Sequence, residues 1–179
     1  MAKSRRLVID ADVLKASGDI NAIKPRAARC RDFLTAVRSL GHQVVASNEI
    51  IREWKNHPSR FASKWRVQMH GRKGIVFPLI HENPSLRARI SKHAPEESIT
   101  LIILKDVHLI DAALATDNRI VSMDKRAFNH LRKLASHLPE IHQLALVNPE
   151  VPDPDPVQWL KDGAPLSEQY KLLRPDPTG

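Results

Sequence analysis

The sequence predicts an α/β protein in which a short, mostly parallel sheet is covered on both faces by helices. Short β-favouring apolar runs recur along it, at Leu7-Val8-Ile9, Val44-Val45-Ala46, Ile120-Val121 and Leu144-Ala145-Leu146-Val147, with helical apolar spacing in the intervals between them. Such alternation is the pattern of crossover units, whose strands lie parallel and whose helices pack on both sides. With 179 residues and 42% hydrophobic content, one domain with a single core is expected.

In chain order, Arg5-Arg6-Leu7-Val8-Ile9 reads as a buried strand that ends on Asp10-Ala11-Asp12, acids that could equally cap the next helix. Pro25 to Ser39 has helical spacing (Ala27, Cys30, Phe33, Leu34, Val37) and stops at Gly41, a good residue just past a helix end. Gln43-Val44-Val45-Ala46 is the second strand, and Ser47 or Asn48 caps a helix carrying Glu49, Ile50, Ile51, Glu53 and Trp54. Glu49 and Glu53 are four apart and repel by about 0.2–0.5 kcal/mol, so Arg52 or Lys55 is the expected counter-charge. Asn56-His57-Pro58 ends that helix.

Residues 59–92 are strongly basic, with Arg60, Lys64, Arg66, Arg72, Lys73, Arg87, Arg89 and Lys92 set among Phe61, Trp65 and Met69. The ring and thioether positions recur every fourth residue and read as a packing stripe rather than a base-stacking platform. Arg60, Lys64, Arg66, Arg72 and Lys73 are the candidate phosphate contacts. Gly71-Arg72-Lys73-Gly74 lacks P-loop spacing and no GxGxxG occurs, so no nucleotide cradle is visible. Pro95-Glu96-Glu97 opens a further helix with Pro at its first position, running through Ile99, Ile102 and Ile103.

Residues 105–124, KDVHLIDAALATDNRIVSMD, carry the densest signal. Asp106 heads the apolar stripe Leu109, Ile110, Ala113 and Leu114, an odd place for a charge. A polar turn follows, then the strand Ile120-Val121-Ser122, with Asp124 just past its end. Phe128, Leu131, Leu134 and Leu138 mark another helix before the last strand. From Asn148 the run NPEVPDPDP reads as an extended, poorly packed linker, and Trp159, Leu160, Leu166, Tyr170 and Leu173 as an amphipathic tail docking on the body or on another copy. The expected organisation is therefore a domain over 1–148, with a basic helical insert at about 57–95, and a linker plus tail over 149–179.

Twenty-eight Lys and Arg against 20 Asp and Glu give a net charge of +8, which suits a polyanion such as nucleic acid. A single Cys30 and nine scattered histidines without paired spacing speak against zinc. No apolar run is long enough for a bilayer, and a cytoplasmic location is expected.

Parallel strands send their C-termini to one sheet edge, so Asp10, Glu53 and Asp124, each following a strand, converge there with Asp106. Clustered carboxylates repel or protonate unless a hard cation such as Mg²⁺ or Mn²⁺ takes them as oxygen ligands. In these residues the sequence resembles the PIN-domain ribonuclease family. The resemblance is carried by Asp10 in VIDADVL, Ser47 and Glu53 in VVASNEIIRE, Asp106 in DVHLIDAALA, and Asp124 in IVSMD. It implies a PIN-like three-layer α/β/α sandwich and a divalent-metal endoribonuclease, with Asp10, Glu53, Asp106 and Asp124 as the acidic metal site. RNA is the implied partner, and because many members are toxins of toxin-antitoxin pairs, so is an antitoxin protein; a homodimer is a further option.

Around that site, Asp12, Glu49, Asp111, Asp117 and Ser122 are supporting candidates. Asp111 stands about 140° round a helix from Asp106, which places it on the surface or behind the site. Ser122, two before Asp124, is suited to hydrogen-bonding a carboxylate or phosphate. Two other readings stay open. One is a haloacid-dehalogenase-like phosphatase, since Asp10-Ala11-Asp12 and Ser47 imitate two of its motifs. The other is a catalytically silent RNA-binding or scaffold protein on the same fold.

Overall fold

Parallel strands cannot be joined by tight turns, and in this protein helices make every connection. The computed structural model describes residues 4–57 and 59–173. Strand β1 (Arg6–Ile9) runs directly into α1 (Ala11–Ala16), and α2 (Pro25–Ser39) returns the chain to β2 (Gln43–Val45). Helices α3 (Asn48–Asn56) and α4 (Arg60–Gly71) lead to β3 (Ile75–Val76). Then α5 (Pro84–His93), α6 (Glu97–Lys105) and α7 (Val107–Leu114) precede β4 (Arg119–Val121). Helix α8 (Lys125–Lys133) and two 3₁₀ turns lead to β5 (Ala145–Val147), and α9 (Pro156–Lys161) follows.

The sheet is five-stranded and all parallel, in the order β3-β2-β1-β4-β5. The chain travels one way from β1 to β3, then crosses back to β4 and β5. Right-handed crossovers made in opposite directions put their helices on opposite faces. Accordingly α2 packs on α4 and α9, while α7 lies on β1 and β4 and α6 joins α5, α7 and α8. This is the expected α/β/α layering. Leu7, Val8, Ile9, Val44, Val45, Ile120 and Val121 have no exposed surface, as strands covered on both faces require. Among the described residues no helix is long and apolar enough to cross a membrane.

Local signals hold at several ends. Ser47 Oγ accepts from the Ile50 N–H at 3.1 Å and is the cap of α3. Gly41 sits just past α2 at φ +78°, a conformation that favours glycine. Trp65 and Met69 are buried, so the stripe in α4 is packing. Pro58 lies outside the described residues.

Two expectations need correction and one open choice is decided. The segment at 57–95 is helical in α4 and α5 but not throughout, because between them it supplies β3, an edge strand paired with β2. Two residues are too few for a periodicity to register. Pro95 is not the first helical residue: α6 begins at Glu97 with Glu96 as its cap, and it ends at Asp106, where α7 starts on a new axis. The tail had two expected docking places, the body or another copy, and it takes the first. Trp159, Leu160 and Leu172 are fully buried in the main core, the Leu172 N–H donates to Leu144 O at 2.8 Å, and Lys171 bridges to Ala145 beside β5. The tail docks on its own body, so no domain boundary falls at 148/149.

Because Trp159 is core, Trp159→Ala should cost about 3–5 kcal/mol in urea unfolding. A loss below 1 kcal/mol would return the tail to the status of an appendage.

Candidate active site at the switch between β1 and β4

An open parallel sheet offers a crevice where its strand order reverses, outside the C-terminal ends of the two strands that part company. Here those strands are β1 and β4. Ile9 pairs with Val121, so the residues that follow, Asp10 and Ser122, emerge side by side. The Asp10 N–H donates to Val121 O at 2.9 Å. Ser122 Oγ donates to Asp10 Oδ2 at 2.7 Å and accepts from the Asp124 N–H at 3.0 Å. Next to it, the Met123 N–H donates to Asp12 Oδ2 at 2.9 Å. Two loops from distant parts of the chain are thereby laced together.

Asp10 and Asp124 are also helix caps. The Asp12 N–H approaches Asp10 Oδ1 at 3.4 Å, and the Ala127 N–H donates to Asp124 Oδ1 at 3.0 Å. The cap and site readings are thus compatible, since a cap occupies one carboxylate oxygen and leaves the other. The first turns of α1 and α8 also offer partial positive charge to these acids.

Asp106 differs, for it sits between α6 and α7 at φ −105° and ψ 5° and its side chain caps neither. It is buried, at 8% exposure, as is Asp10. Burial pushes the Asp106 carboxyl up to about 7, with the charges of Asp10 and Asp124 adding to it and Lys105 and His108 opposing. Asp12 is likewise raised to about 7 by burial and then by the charge of Asp10. Asp10 itself is raised by burial, against the hydrogen bond from Ser122. These four acids share one electrostatic field, and Asp12, expected only as support, belongs inside it. Its Oδ1 is buried without a hydrogen-bond partner.

Glu53 stands one step away. Its Oε2 lies 3.1 Å from His108 Nε2, while His108 Nδ1 is 3.1 Å from Lys105 O. His108 therefore ties α3 to the junction beside Asp106, and its charge acts on Asp10 and Asp106. Sequence reasoning passed over this residue. Its signal was a polar ring at the buried start of an apolar helix, two places after Asp106. Glu49 is half-exposed, and its Oε1 lies 3.8 Å from Arg52, the expected counter-charge, and 3.9 Å from His108 Nδ1.

Two supporting candidates fall elsewhere. Asp117 is at the opposite sheet edge, where it receives the Arg6 N–H at 2.9 Å and the Arg6 guanidinium at 2.8 Å. Burial raises its carboxyl, but Arg6 and Arg119 outweigh this and hold it low. It is a strand-start clamp. Asp111 is buried rather than on the surface, with Arg87 at 2.7 Å and the Asn83 N–H at 3.3 Å, so it anchors the start of α5. The helical angle separates it from Asp106, but it does not disclose that Asn83 and Arg87 cover that side of α7.

The basic candidates are not one patch. Helix α4 runs about 18 Å from the carboxylate edge back to the far edge. Arg60 and Lys64 lie at its start, where Arg60 pairs with Asp19 at 3.3 Å. Arg66 follows at mid-helix, half-buried. Arg72 and Lys73 lie at its far end, Arg72 bonded to the Arg38 carbonyl.

Among the described residues, no three His, Cys, Asp or Glu side chains are grouped so as to enclose a metal ion. The donor set still suits a hydrated hard cation, which one or two carboxylates plus water can hold, and the unpartnered Asp12 Oδ1 is one place for such charge. Compared with protein-family models, curated proteins and solved structures, the chain matches none.

The raised acids set a pH dependence. Asp12 and Asp106 ionise near 3.8 when unfolded and near 7 when folded, so across that window the folded state holds more protons. Metal-free protein should lose stability as pH rises from about 4 to 7 on this account. Asp106→Asn should therefore melt higher than wild type in EDTA at pH 8, by roughly 2–4 °C for each kcal/mol relieved, with the gap closing towards pH 4. Parallel pH profiles for the two proteins would place Asp106 outside the shared field.

Proposed function

We propose that this chain is a PIN-like, divalent-metal-dependent endoribonuclease acting at the β1/β4 crevice. The observation that carries the reading is the gathering of Asp10, Asp106 and Asp124 in one buried field, with Asp10 and Asp124 spanned by Ser122. Buried acids kept together at a sheet crevice, with the carboxyls of Asp106 and the neighbouring Asp12 raised to about 7, are costly to folding and are characteristic of sites that handle protons or cations. Mg²⁺ or Mn²⁺ held there would activate water and offset the charge that develops on the phosphodiester.

Asp10 and Asp124 would hold the cation, Asp10 through the lone pair that Ser122 leaves on Oδ2 and Asp124 through the oxygen its cap leaves over. Asp106 faces the same space without a capping duty and completes the shell directly or through water. Ser122 orients both principal acids. Glu53, committed to His108, positions the α7 start rather than binding the metal itself. The positive charge of the chain suits RNA as substrate.

The phosphatase alternative asks Asp12 to move as an acid over an Asp10 nucleophile. Asp12 is instead pinned by the Met123 N–H inside α1, which favours the nuclease reading. A silent scaffold would have no use for unneutralised buried acids.

The test is cleavage of single-stranded RNA by the whole chain in Mg²⁺, Mn²⁺ or EDTA. Ser122→Ala should lose about 10–100-fold in cleavage, as positioning partners of metal ligands do, and Asp10→Asn and Asp124→Asn should lose more. RNA binding in EDTA should survive all three. Full cleavage by Asp10→Asn, or metal-independent cleavage by wild type, would exclude the reading.

Placement along α4 separates the cations. Lys64→Ala should flatten the salt dependence of RNA binding by about 0.7 in log–log slope, while Lys73→Ala at the far edge should leave the slope alone. Equal slopes in both variants would take α4 out of the RNA path.

A further inference from the structure

His42 is a buried histidine that the carboxylate site does not use. It stands between α2 and β2 at 2% exposure, at the sheet edge opposite Asp10, and both of its ring nitrogens are engaged. The Arg5 backbone N–H donates to Nδ1 at 3.2 Å, and Nε2 lies 3.0 Å from Leu160 O near the end of α9. A backbone N–H only donates and a carbonyl only accepts, so the two partners assign the tautomer. Nδ1 keeps the lone pair, Nε2 carries the proton, and the ring is neutral.

The bond to Leu160 is half of a clasp. Arg119, buried in β4, donates through Nε to Ala164 O, so two side chains of the body hold the turn from Leu160 to Ala164 by its first and last carbonyls. Inside the turn the Gly163 N–H donates to Leu160 O at 3.0 Å and the Ala164 N–H to Trp159 O at 2.8 Å. The turn lies midway along the tail, whose Val151, Pro154 and Tyr170 line a cavity of about 90 Å³ beside Asp124. The clasp therefore bears on a segment that reaches the carboxylate site.

Acid acts on one half of the clasp only. A second proton has to enter at Nδ1, where it meets the Arg5 N–H donor against donor, and the resulting charge is buried. Burial holds the ring below its ordinary 6.5, opposed by the bond to Leu160 and reinforced by the charges of Arg119 on β4 and Arg5 ahead of β1. No acid offsets these cations from close by. Asp117 is taken by Arg6, Arg38 at the end of α2 is bonded to Gln68, and Lys161 and Asp162 on the α9 side are exposed.

We propose that His42 is an acid-sensitive clasp on the tail, which holds the Leu160–Ala164 turn to the body when neutral and lets it open when protonated. A ring with two donors leaves its slot before the Arg5 N–H and takes Nε2 away from Leu160 O. Arg119, which stays charged, then holds the turn alone. The inference stands whether or not the chain cuts RNA. In the open turn the ring regains its ordinary proton affinity, so opening should be constant well above pH 6.5 and rise as pH falls through that value. Asp12 and Asp106 act in the other direction, stabilising the fold as pH falls, so global unfolding does not imitate the effect.

Hydrogen exchange at the Gly163 and Ala164 amides reads the opening in the full chain. Between about pH 8 and about pH 5 the opening constant, corrected for intrinsic exchange, should rise several-fold in wild type. His42→Gln keeps a donor for Leu160 O but does not titrate, and its opening constant should stay flat. The His42 ring, followed by NMR in wild type, should titrate below 6.5, with the Gly163 amide moving at the same midpoint, which tests the clasp even where the Gln variant fails to fold. Opening that ignores pH in wild type, an equal rise in His42→Gln, or a ring that titrates at or above 6.5 overturns the proposal.

Discussion

The bond from Ser122 Oγ to Asp10 Oδ2 joins residues 112 apart in sequence, and the carboxylate site depends on the constraint that makes it possible. That constraint is the parallel pairing of β1 with β4 at the point where the chain reverses its travel across the sheet. Had β4 been added beyond β3 instead, Asp10 and Asp124 would lie several strands apart, at about 4.8 Å per strand. Central position does the rest. β1 is flanked by β2 and β4 and covered on both faces, so the Asp10 backbone has little freedom, and the Trp54 indole fixes it further by donating to Ile9 O at 3.0 Å.

Such a site is held against its own electrostatics. Burial and mutual repulsion act together on Asp10, Asp12 and Asp106, and the compensations are local and partial: a hydroxyl from Ser122, backbone N–H groups at two helix starts, and the His108 ring. Each satisfies part of a carboxylate. The remainder is tolerated because more than forty buried apolar residues in one continuous core supply the stability that the crevice gives up. The packed tail matters in that balance. Trp159 and Leu160 fill space over α2, and the same segment then walls the cavity beside Asp124.

Sequence reasoning was most successful where structure is made by near neighbours. Ser47, Gly41, the stripe in α4 and the strands β1, β2, β4 and β5 were legible because caps, helix stops and burial periodicity are set within about four residues. Asp10 and Asp124 were legible for a related reason, as strand-end acids in an inferred parallel sheet. Glu53 was only partly legible, because it follows its strand by more than a helical turn and nothing nearby discloses that His108 will meet it from 55 positions away. Asp117 was assigned to the wrong sheet edge for a similar reason, and the cations of α4 turn out to be spread between both edges. Proximity along the chain does not say which sheet edge a residue reaches when a helix of 12 residues carries it from one edge to the other.

By itself, then, the sequence determined the class of fold, the position of most elements and the presence of acids at strand ends, since all of these follow from hydrophobic period and local hydrogen bonding. Only the tertiary structure decided which acids share a field, which are claimed by Arg6, Arg87 or His108, and that the tail from Trp159 to Leu172 joins the core. The physical reason is range. Capping and periodicity act over one turn of backbone, whereas charge pairing, desolvation and cavity shape depend on groups that meet only after the crossovers have brought distant strands together.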